Sequence, residues 1–218
     1  MHKSINNLIE INKEINLNNL NLESNVKIIA VSKTFSMINI LPLIEYGHKD
    51  FGENKVQEAL EKWLEIKNSK TSLNLHMIGK LQTNKVKQAV KIFDYIHSLD
   101  SLKLAKKISE EQIKIKKKLK IFIQINIGNE HQKSGIKIDN LSSFYQTCIN
   151  DLGLDIIGLM CLPPNILDNS KYFEEMNKAA KSLSLKELSM GMSSDYLNAV
   201  KHNATYVRIG SKIFGERG

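Results

Sequence analysis

Lys33 is the first residue of this sequence whose type and position could do covalent chemistry. It follows the apolar run at residues 28–31 and Ser32, in the segment IIAVSKTFS. An amine at the end of a buried strand is either a solvated cap or, where burial favours its neutral form, a nucleophile. Lys33 alone leaves both interpretations open.

Two segments near the carboxyl end could bind an anion. GMSSD (191–195) places Ser193 at the start of a predicted helix, and RIGS (208–211) places Gly210 and Ser211 after a predicted strand. Glycine lets the backbone approach a ligand, while serine hydroxyls and the free N–H groups of a helix amino terminus bind phosphate. The alternative, which is compatible with the first, is that the serine caps its helix.

Arg208 is the one charged residue in the apolar segment YVRIG. A strand residue flanked in this way is expected to point into the protein, either to bind a ligand or to form a plain salt bridge. Asp195 would repel a phosphate, so we expect it to point away from the serines. Glu53 and Lys55 are expected to form surface ion pairs of little energetic value.

The elements that must position these residues alternate along the chain. Strands are predicted at 28–31, 48–52, 74–78, 94–98, 121–127, 155–160, 186–190 and 205–209, and a polar first helix precedes them. Further helices are predicted at 37–46, 55–68, 83–91, 101–118, 140–151, 169–183 and 194–202. Near-continuous apolar runs such as IFIQINI are typical of parallel strands that are covered on both faces.

Eight strand-then-helix units in 218 residues predict a single-domain (β/α)8 TIM barrel over residues 1–218. A doubly wound open sheet is the alternative, but no G-x-G-x-x-G follows the first strand. In a TIM barrel the carboxyl ends of the strands form the active face, and the last two loops commonly bind phosphate. Lys33 would then face the phosphate site, where its amine could form a Schiff base with pyridoxal phosphate.

Composition and charge restrict the possible partners. The net charge of +8 favours anionic partners. The basic run KIKKKLK (114–120) is expected to be a solvated helix end, with a docking patch for an acidic partner or RNA as the alternative. No aromatic platform lies near it, so nucleic acid is not expected to bind.

The sequence also restricts the compartment. Cys148 and Cys161 are too few for a disulfide framework, which favours reduced thiols and the cytoplasm. We expect no signal peptide, no membrane-spanning helix and no metal site, since none of the corresponding patterns is present.

Several segments together resemble the pyridoxal phosphate homeostasis family, which is related to the amino-terminal barrel of alanine racemase. The matching segments, in order over residues 25–217, are AVSKT, FGENKVQE, HMIGKLQTNK, QINI with KSGI, GLMCLP, LSMGMSSD and VRIGSKIFG.

This resemblance implies pyridoxal 5'-phosphate as cofactor and assigns residues to it. It implies that Lys33 forms the Schiff base, that Arg208 faces the pyridine nitrogen, and that Ser193, Gly210 and Ser211 bind the phosphate. It also implies that Asn54, His76 and Met160 line the ring pocket. From the residues alone, a core role for His76 stays open. An arginine beside the pyridine nitrogen would make the ring a poorer electron sink than a carboxylate would.

The resemblance implies a carrier that holds pyridoxal phosphate and supplies it to apo-enzymes, with little or no turnover. The alternative is a weak amino acid racemase. Racemisation needs acid/base groups on both faces of the substrate carbon, and in the related racemase the second base comes from another domain. The sequence ends ten residues after Arg208, so that domain is expected to be absent and the protein to be a monomer.

Overall fold

Eight parallel strands close into a barrel in the computed structural model of this chain, which describes residues 1–19, 25–69, 72–130 and 132–216. The strands are β1 (Lys27–Val31), β2 (Asp50–Glu53), β3 (Asn74–Met77), β4 (Tyr95–Leu99), β5 (Lys120–Ile125), β6 (Asp155–Cys161), β7 (Glu187–Met192) and β8 (Tyr206–Ile209). Each strand pairs with the next in sequence, and β8 pairs with β1, with Ile29 opposite Arg208. This last pairing closes the sheet.

Helices cover the outside of the barrel. Those in the described ranges are α1 (Lys3–Asn18), α2 (Met37–Glu45), α3 (Val56–Ser69), α4 (Val86–Ile92), α5 (Leu102–Ile115), α6 (Leu141–Gln146), α7 (Ser170–Ser182), α8 (Tyr196–Lys201) and α9 (Ser211–Phe214). None of them is both long and apolar enough to cross a lipid bilayer.

The predicted (β/α)8 barrel is confirmed, and the pairing of β1 with β8 excludes the open sheet. Several boundaries differ from the predictions. The segment predicted as one helix at 140–151 consists of a 3-10 turn (Ile138–Asn140), α6 and a wider helical turn (Thr147–Asp151). The short helix α9 was not predicted.

The apolar residues of the strands contribute to two hydrophobic cores, because neighbouring side chains of a strand point to opposite faces of the sheet. In β5, Ile121 and Ile123 belong to the large core between barrel and helices, whereas Phe122 belongs to a smaller cluster inside the barrel. All three side chains are fully buried. Each contributes about 1.5–3 kcal/mol by leaving water.

The basic run at 114–120 is not simply a solvated helix end. Helix α5 ends at Ile115 and Lys116 adopts a positive φ of 52°. The Lys117 ammonium donates to the Phe93 carbonyl at 2.6 Å, and Lys120 lies over the Tyr95 ring at 5.4 Å. Lys117 therefore joins the loops that precede β4 and β5, and Lys120 packs β5 against β4.

Candidate ligand-binding site

A cavity of about 820 Å³ opens at the carboxyl ends of the strands. This volume is within the usual range for small-molecule sites. Loops that follow seven of the eight strands, all except β4, contribute to its wall. Six of the eight predicted site residues line it: Lys33, Asn54, Ser193, Arg208, Gly210 and Ser211.

Lys33 lies in a tight turn after β1 that helix α3 holds in place. The next residue, Thr34, has a φ of 68°, a costly conformation for a β-branched side chain. Its amide donates to the Glu58 carboxylate at 2.6 Å, and the Lys62 ammonium donates to the Ser32 carbonyl at 2.8 Å. The backbone that carries Lys33 is thus fixed by side chains of α3.

A buried carboxylate, that of Glu53, joins the same turn to the barrel. Its side chain is 0% exposed, and Oε1 accepts from the Ser32 hydroxyl at 2.7 Å, the Lys62 ammonium at 2.7 Å and the Trp63 indole at 2.9 Å. Burial raises the pKa of Glu53, and the three donors oppose that rise. The prediction that Glu53 forms a surface pair is therefore wrong.

Ser193, Ser194 and Ser211 line one side of the cavity. Within the described residues, none of their hydroxyls makes a hydrogen bond to the protein. The residue that precedes α8 as its cap is Asp195, so helix capping does not account for Ser193. Three uncommitted hydroxyls on one wall can donate to the oxygens of a phosphate.

Asp195 also lies on the cavity wall, contrary to the expectation that it points away. Its Oδ1 accepts from the Met192 amide at 2.7 Å and its Oδ2 from the Asn169 side chain at 3.0 Å. These two donors partly offset its charge beside the serines.

Arg208 is 4% exposed and reaches the cavity from inside the barrel. Its guanidinium donates to the Ser189 carbonyl and hydroxyl, both at 2.7 Å, and to the Cys161 carbonyl at 2.8 Å. No carboxylate of the described residues forms an ion pair with it, so the salt-bridge alternative is not observed. These contacts use three of its five N–H donors, which leaves two for a ligand.

Asn54 reaches the cavity where the loops after β2 and β3 pack closely. A Cβ atom on Gly79 would lie 2.4 Å from the Asn54 carbonyl oxygen and 2.5 Å from its Cβ. Only glycine fits at position 79 without moving Asn54. This glycine lies in the segment HMIGKLQTNK, whose sequence alone does not show the close approach of the two loops.

Two of the predicted site residues, His76 and Met160, are not among the residues that line this cavity. His76 is fully buried, with Nε2 3.1 Å from the Asp50 carboxylate and Nδ1 2.9 Å from His97 Nε2. Met160 packs inside the barrel with Phe122. Both residues lie within their strands, and the cavity is lined mainly by residues that follow the strand ends.

Lys133, from the loop after β5, adds a second amine to the cavity wall. Its ammonium pairs with Glu130 at 2.6 Å and donates to the Pro163 carbonyl at 2.9 Å. Lys33, Lys133 and Arg208 give the cavity lining a cationic character. In the described part of the chain, no group of three or more His, Cys, Asp or Glu residues could hold a metal ion.

Residues 10–218 match the family described as alanine racemase, N-terminal domain. Among curated proteins, the pyridoxal phosphate homeostasis protein of Pasteurella multocida is 37% identical over 205 residues, which is 89% of this chain and 88% of that protein.

Solved structures give the same relationship. PipY of Synechococcus elongatus PCC7942 without PLP has a TM-score of 0.88 at 31% identity, covering 98% of this chain and 100% of PipY. PipY with PLP bound has a TM-score of 0.81 at 32% identity, covering 94% and 100%. An alanine racemase of Clostridium difficile 630 shares the fold, with a TM-score of 0.72 at 16% identity, and this chain covers 56% of it.

Proposed function

Because the chain belongs to the family of pyridoxal phosphate homeostasis proteins, within the alanine racemase N-terminal domain family, we propose that it binds pyridoxal 5'-phosphate through Lys33. It holds the cofactor as a Schiff base and takes part in its intracellular homeostasis and supply. The observation that carries the proposal is one cavity that contains Lys33, three unpaired serine hydroxyls and Arg208.

The donors of the cavity fit the charges of this cofactor. Ser193, Ser194 and Ser211 can donate to its phosphate, and Gly210, which is buried, also lines the cavity. The Arg208 guanidinium can only donate, so it suits an unprotonated pyridine nitrogen. When bound, pyridoxal phosphate supplies an aldehyde that condenses with a primary amine and releases water.

The chain's own residues then have separable roles. The contacts of Glu58 and Lys62 hold the turn that carries Lys33, so the backbone that bears this amine is already in place when the ligand arrives. An Arg208 guanidinium beside the ring nitrogen would leave that nitrogen unprotonated, which would disfavour carbanion chemistry. Both features suit a protein that holds its ligand rather than transforming it.

Borohydride trapping tests the covalent assignment. Protein incubated with pyridoxal phosphate and reduced with borohydride should gain one ligand mass, and peptide mapping should locate it on Lys33. Lys33→Ala should lose the adduct and the visible absorption band. The matched control is Lys49→Ala, which changes an exposed lysine before β2, at the opposite end of the barrel.

An adduct retained in Lys33→Ala at the same stoichiometry would disprove the assignment to Lys33. Circular dichroism of the variant distinguishes this outcome from misfolding. Lys33→Arg provides a second variant, since it keeps the charge and most of the length but removes the nucleophilic amine.

The supply role requires transfer to another protein. The loaded protein should reactivate an apo-enzyme that depends on pyridoxal phosphate, even when a phosphatase destroys the free cofactor. Reactivation that the phosphatase abolishes would show release into solution and would refute direct supply. We also propose a cytoplasmic monomer, which cell fractionation and light scattering can test.

A weak racemase is the second candidate, and one observation favours it. Lys133 lines the same cavity as Lys33 and offers a second amine for proton transfer. The carrier proposal predicts no turnover of alanine or serine. Racemisation that is lost in both Lys33→Ala and Lys133→Met would instead establish the enzyme.

A further inference from the structure

A continuous chain of hydrogen bonds crosses the barrel interior from the cavity toward the opposite end. We call it the interior chain, and its members are Arg208, Ser189, His97, His76 and Asp50. Its successive donor–acceptor distances are 2.7, 2.9, 2.9 and 3.1 Å. Its two ends carry opposite charges, and neither imidazole is exposed to solvent.

With both imidazoles neutral, the carboxylate end fixes the direction of every bond in the interior chain. Arg208 can only donate, and an ionised Asp50 can only accept. Ser189 therefore accepts from Arg208 and gives its own hydrogen to His97 Nδ1. His97 then donates from Nε2 to His76 Nδ1, and His76 donates from Nε2 to Asp50.

The opposite direction leaves groups unsatisfied. A hydrogen on His97 Nδ1 would point at the Ser189 oxygen, and the serine hydroxyl hydrogen would lose its acceptor. A neutral His76 with its hydrogen on Nδ1 would turn an unprotonated Nε2 toward the Asp50 carboxylate. An unsatisfied buried donor or a repulsive lone-pair contact is costly inside a protein.

Electrostatics favour the same protonation states. Burial lowers the pKa of His97 well below its usual value, and the nearby charge of Arg208 acts in the same direction. Burial also lowers the pKa of His76, against the opposing effect of Asp50. Although burial alone would favour its acid form, the hydrogen bonds from His76 and Asn74 hold the pKa of Asp50 below normal.

Other groups that face the imidazoles do not offer a competing bond. Those packed against or near His76 and His97 are Tyr95, Phe122, Tyr206, Lys27, Asp94 and His48. Tyr95 stacks on His76 with ring centroids 4.2 Å apart, and Phe122 stacks on His97 at 4.3 Å. Stacking holds the ring planes and leaves the ring nitrogens to the chain.

We propose that His97 and His76 are positioning residues for Arg208. The interior chain holds the guanidinium in one orientation at the cavity wall, with each imidazole neutral and its hydrogen on Nε2. The role of Arg208 toward pyridoxal phosphate rests on the proposed function, whereas the direction of the chain does not.

Nuclear magnetic resonance of the ligand-free protein tests the chain itself. With [15N]histidine labelling, both imidazoles should give the neutral Nε2–H pattern at pH 7, assigned by the signals lost in His97→Phe. With [15N]arginine, Arg208 should show separate guanidinium N–H signals whose chemical shifts change in His97→Phe and Ser189→Ala, although its bonds to the Ser189 and Cys161 carbonyls remain. An Nδ1–H pattern at His97, an imidazolium at His76, or unchanged Arg208 signals would overturn the proposal.

Binding measurements test the consequence for the ligand. His97→Phe and Ser189→Ala should each weaken pyridoxal phosphate binding about tenfold, the effect of misdirecting one hydrogen bond to a charged group. They should also shift the pH dependence of the ligand absorption band. His97→Gln, whose amide can both accept and donate, should restore part of the affinity.

Tyr95→Phe is the matched control, because it keeps the ring stacked on His76 and removes only a hydroxyl outside the interior chain. It should bind as the unaltered protein does. Unaltered affinity and pH profile in both His97→Phe and Ser189→Ala, alongside loss of binding in Lys33→Ala, would overturn the positioning role and leave the proposed function standing. Absence of binding in the unaltered protein would refute the proposed function, while the arginine signals would still decide whether the chain positions Arg208.

Discussion

Lys62→Met should destabilise the protein by an amount that depends on pH. The Lys62 ammonium lies 2.7 Å from the carboxylate of Glu53, and the two side chains are 14% and 0% exposed. Removing one partner of a buried ion pair costs about 3–5 kcal/mol. Glu53 keeps its bonds from Ser32 and Trp63, so we expect a loss of about 3 kcal/mol at pH 8, in the lower part of that range.

The sign of the pH dependence follows from the raised pKa of Glu53. An acid whose pKa is higher in the folded than in the unfolded protein stabilises the fold below the unfolded pKa, near 4.3, and loses that contribution as pH rises through the folded pKa. Lys62→Met raises the folded pKa further. The penalty should therefore be largest at pH 8 and should shrink as pH falls toward 5.

Urea unfolding at pH 5 and pH 8 measures the effect. Trp63 is the only tryptophan in the sequence and donates to Glu53, so its fluorescence reports on this site directly. At pH 8 the melting temperature should fall by about 6–12 °C, at 2–4 °C per kcal/mol for a chain of this size. The double variant Glu53→Gln/Lys62→Met should recover most of the loss.

The matched control is Glu58→Gln, which removes the other carboxylate that pairs with Lys62. Its side chain is 24% exposed, and exposed i,i+4 pairs contribute only about 0.3–0.5 kcal/mol. Equal losses for Lys62→Met at pH 5 and pH 8, or a double variant no more stable than the single one, would refute the role assigned to the buried charge.

Three further outcomes are expected. Gly191→Ala should lower the free energy of unfolding by about 1–3 kcal/mol in urea titrations, because residue 191 has a φ of 91° and a Cβ would lie 2.7 Å from that of Ala199. Cys148 and Cys161 should not react with iodoacetamide at pH 8 until the protein is unfolded, because burial raises the pKa of each thiol to about 12; rapid alkylation of the folded protein would contradict this. Ser211→Ala should weaken pyridoxal phosphate binding several-fold, as for one lost hydrogen bond to a charged group, with an unchanged melting temperature; a large drop in that temperature would instead assign the serine a structural role.

The fold was predictable from sequence because each strand is a short apolar run followed by an amphipathic segment. The ends of elements were less predictable, since local contacts decide them. Lys116, for example, ends α5 in a left-handed conformation although helix-favouring residues continue. The spacing of apolar residues likewise does not distinguish the 3-10 turn and the wide turn around α6 from a regular α-helix.

Lys33, Ser193 and Ser211 were predictable because residues after parallel strands meet at one end of a barrel. Glu53 and Lys62 were missed because their contact depends on how α3 is rotated against β2. The pairing of His76 with His97 depends on the stagger of β3 and β4, in which His76 lies opposite Tyr95. Single-sequence patterns do not fix that stagger.

The pairing of β1 with β8 has a consequence for folding. The amine of Lys33 comes from the amino-terminal part of the chain, whereas the hydroxyls of Ser193 and Ser211 come from the carboxyl-terminal part. These groups line one cavity only after β1 has paired with β8. A ligand that contacts residues on both sides of the β1–β8 pairing stabilises that pairing. The fraction of protein with ligand bound and the fraction with β1 paired to β8 therefore increase or decrease together. Amide hydrogens of β1 and β8 should consequently exchange more slowly in the loaded protein, by a factor that grows with ligand concentration.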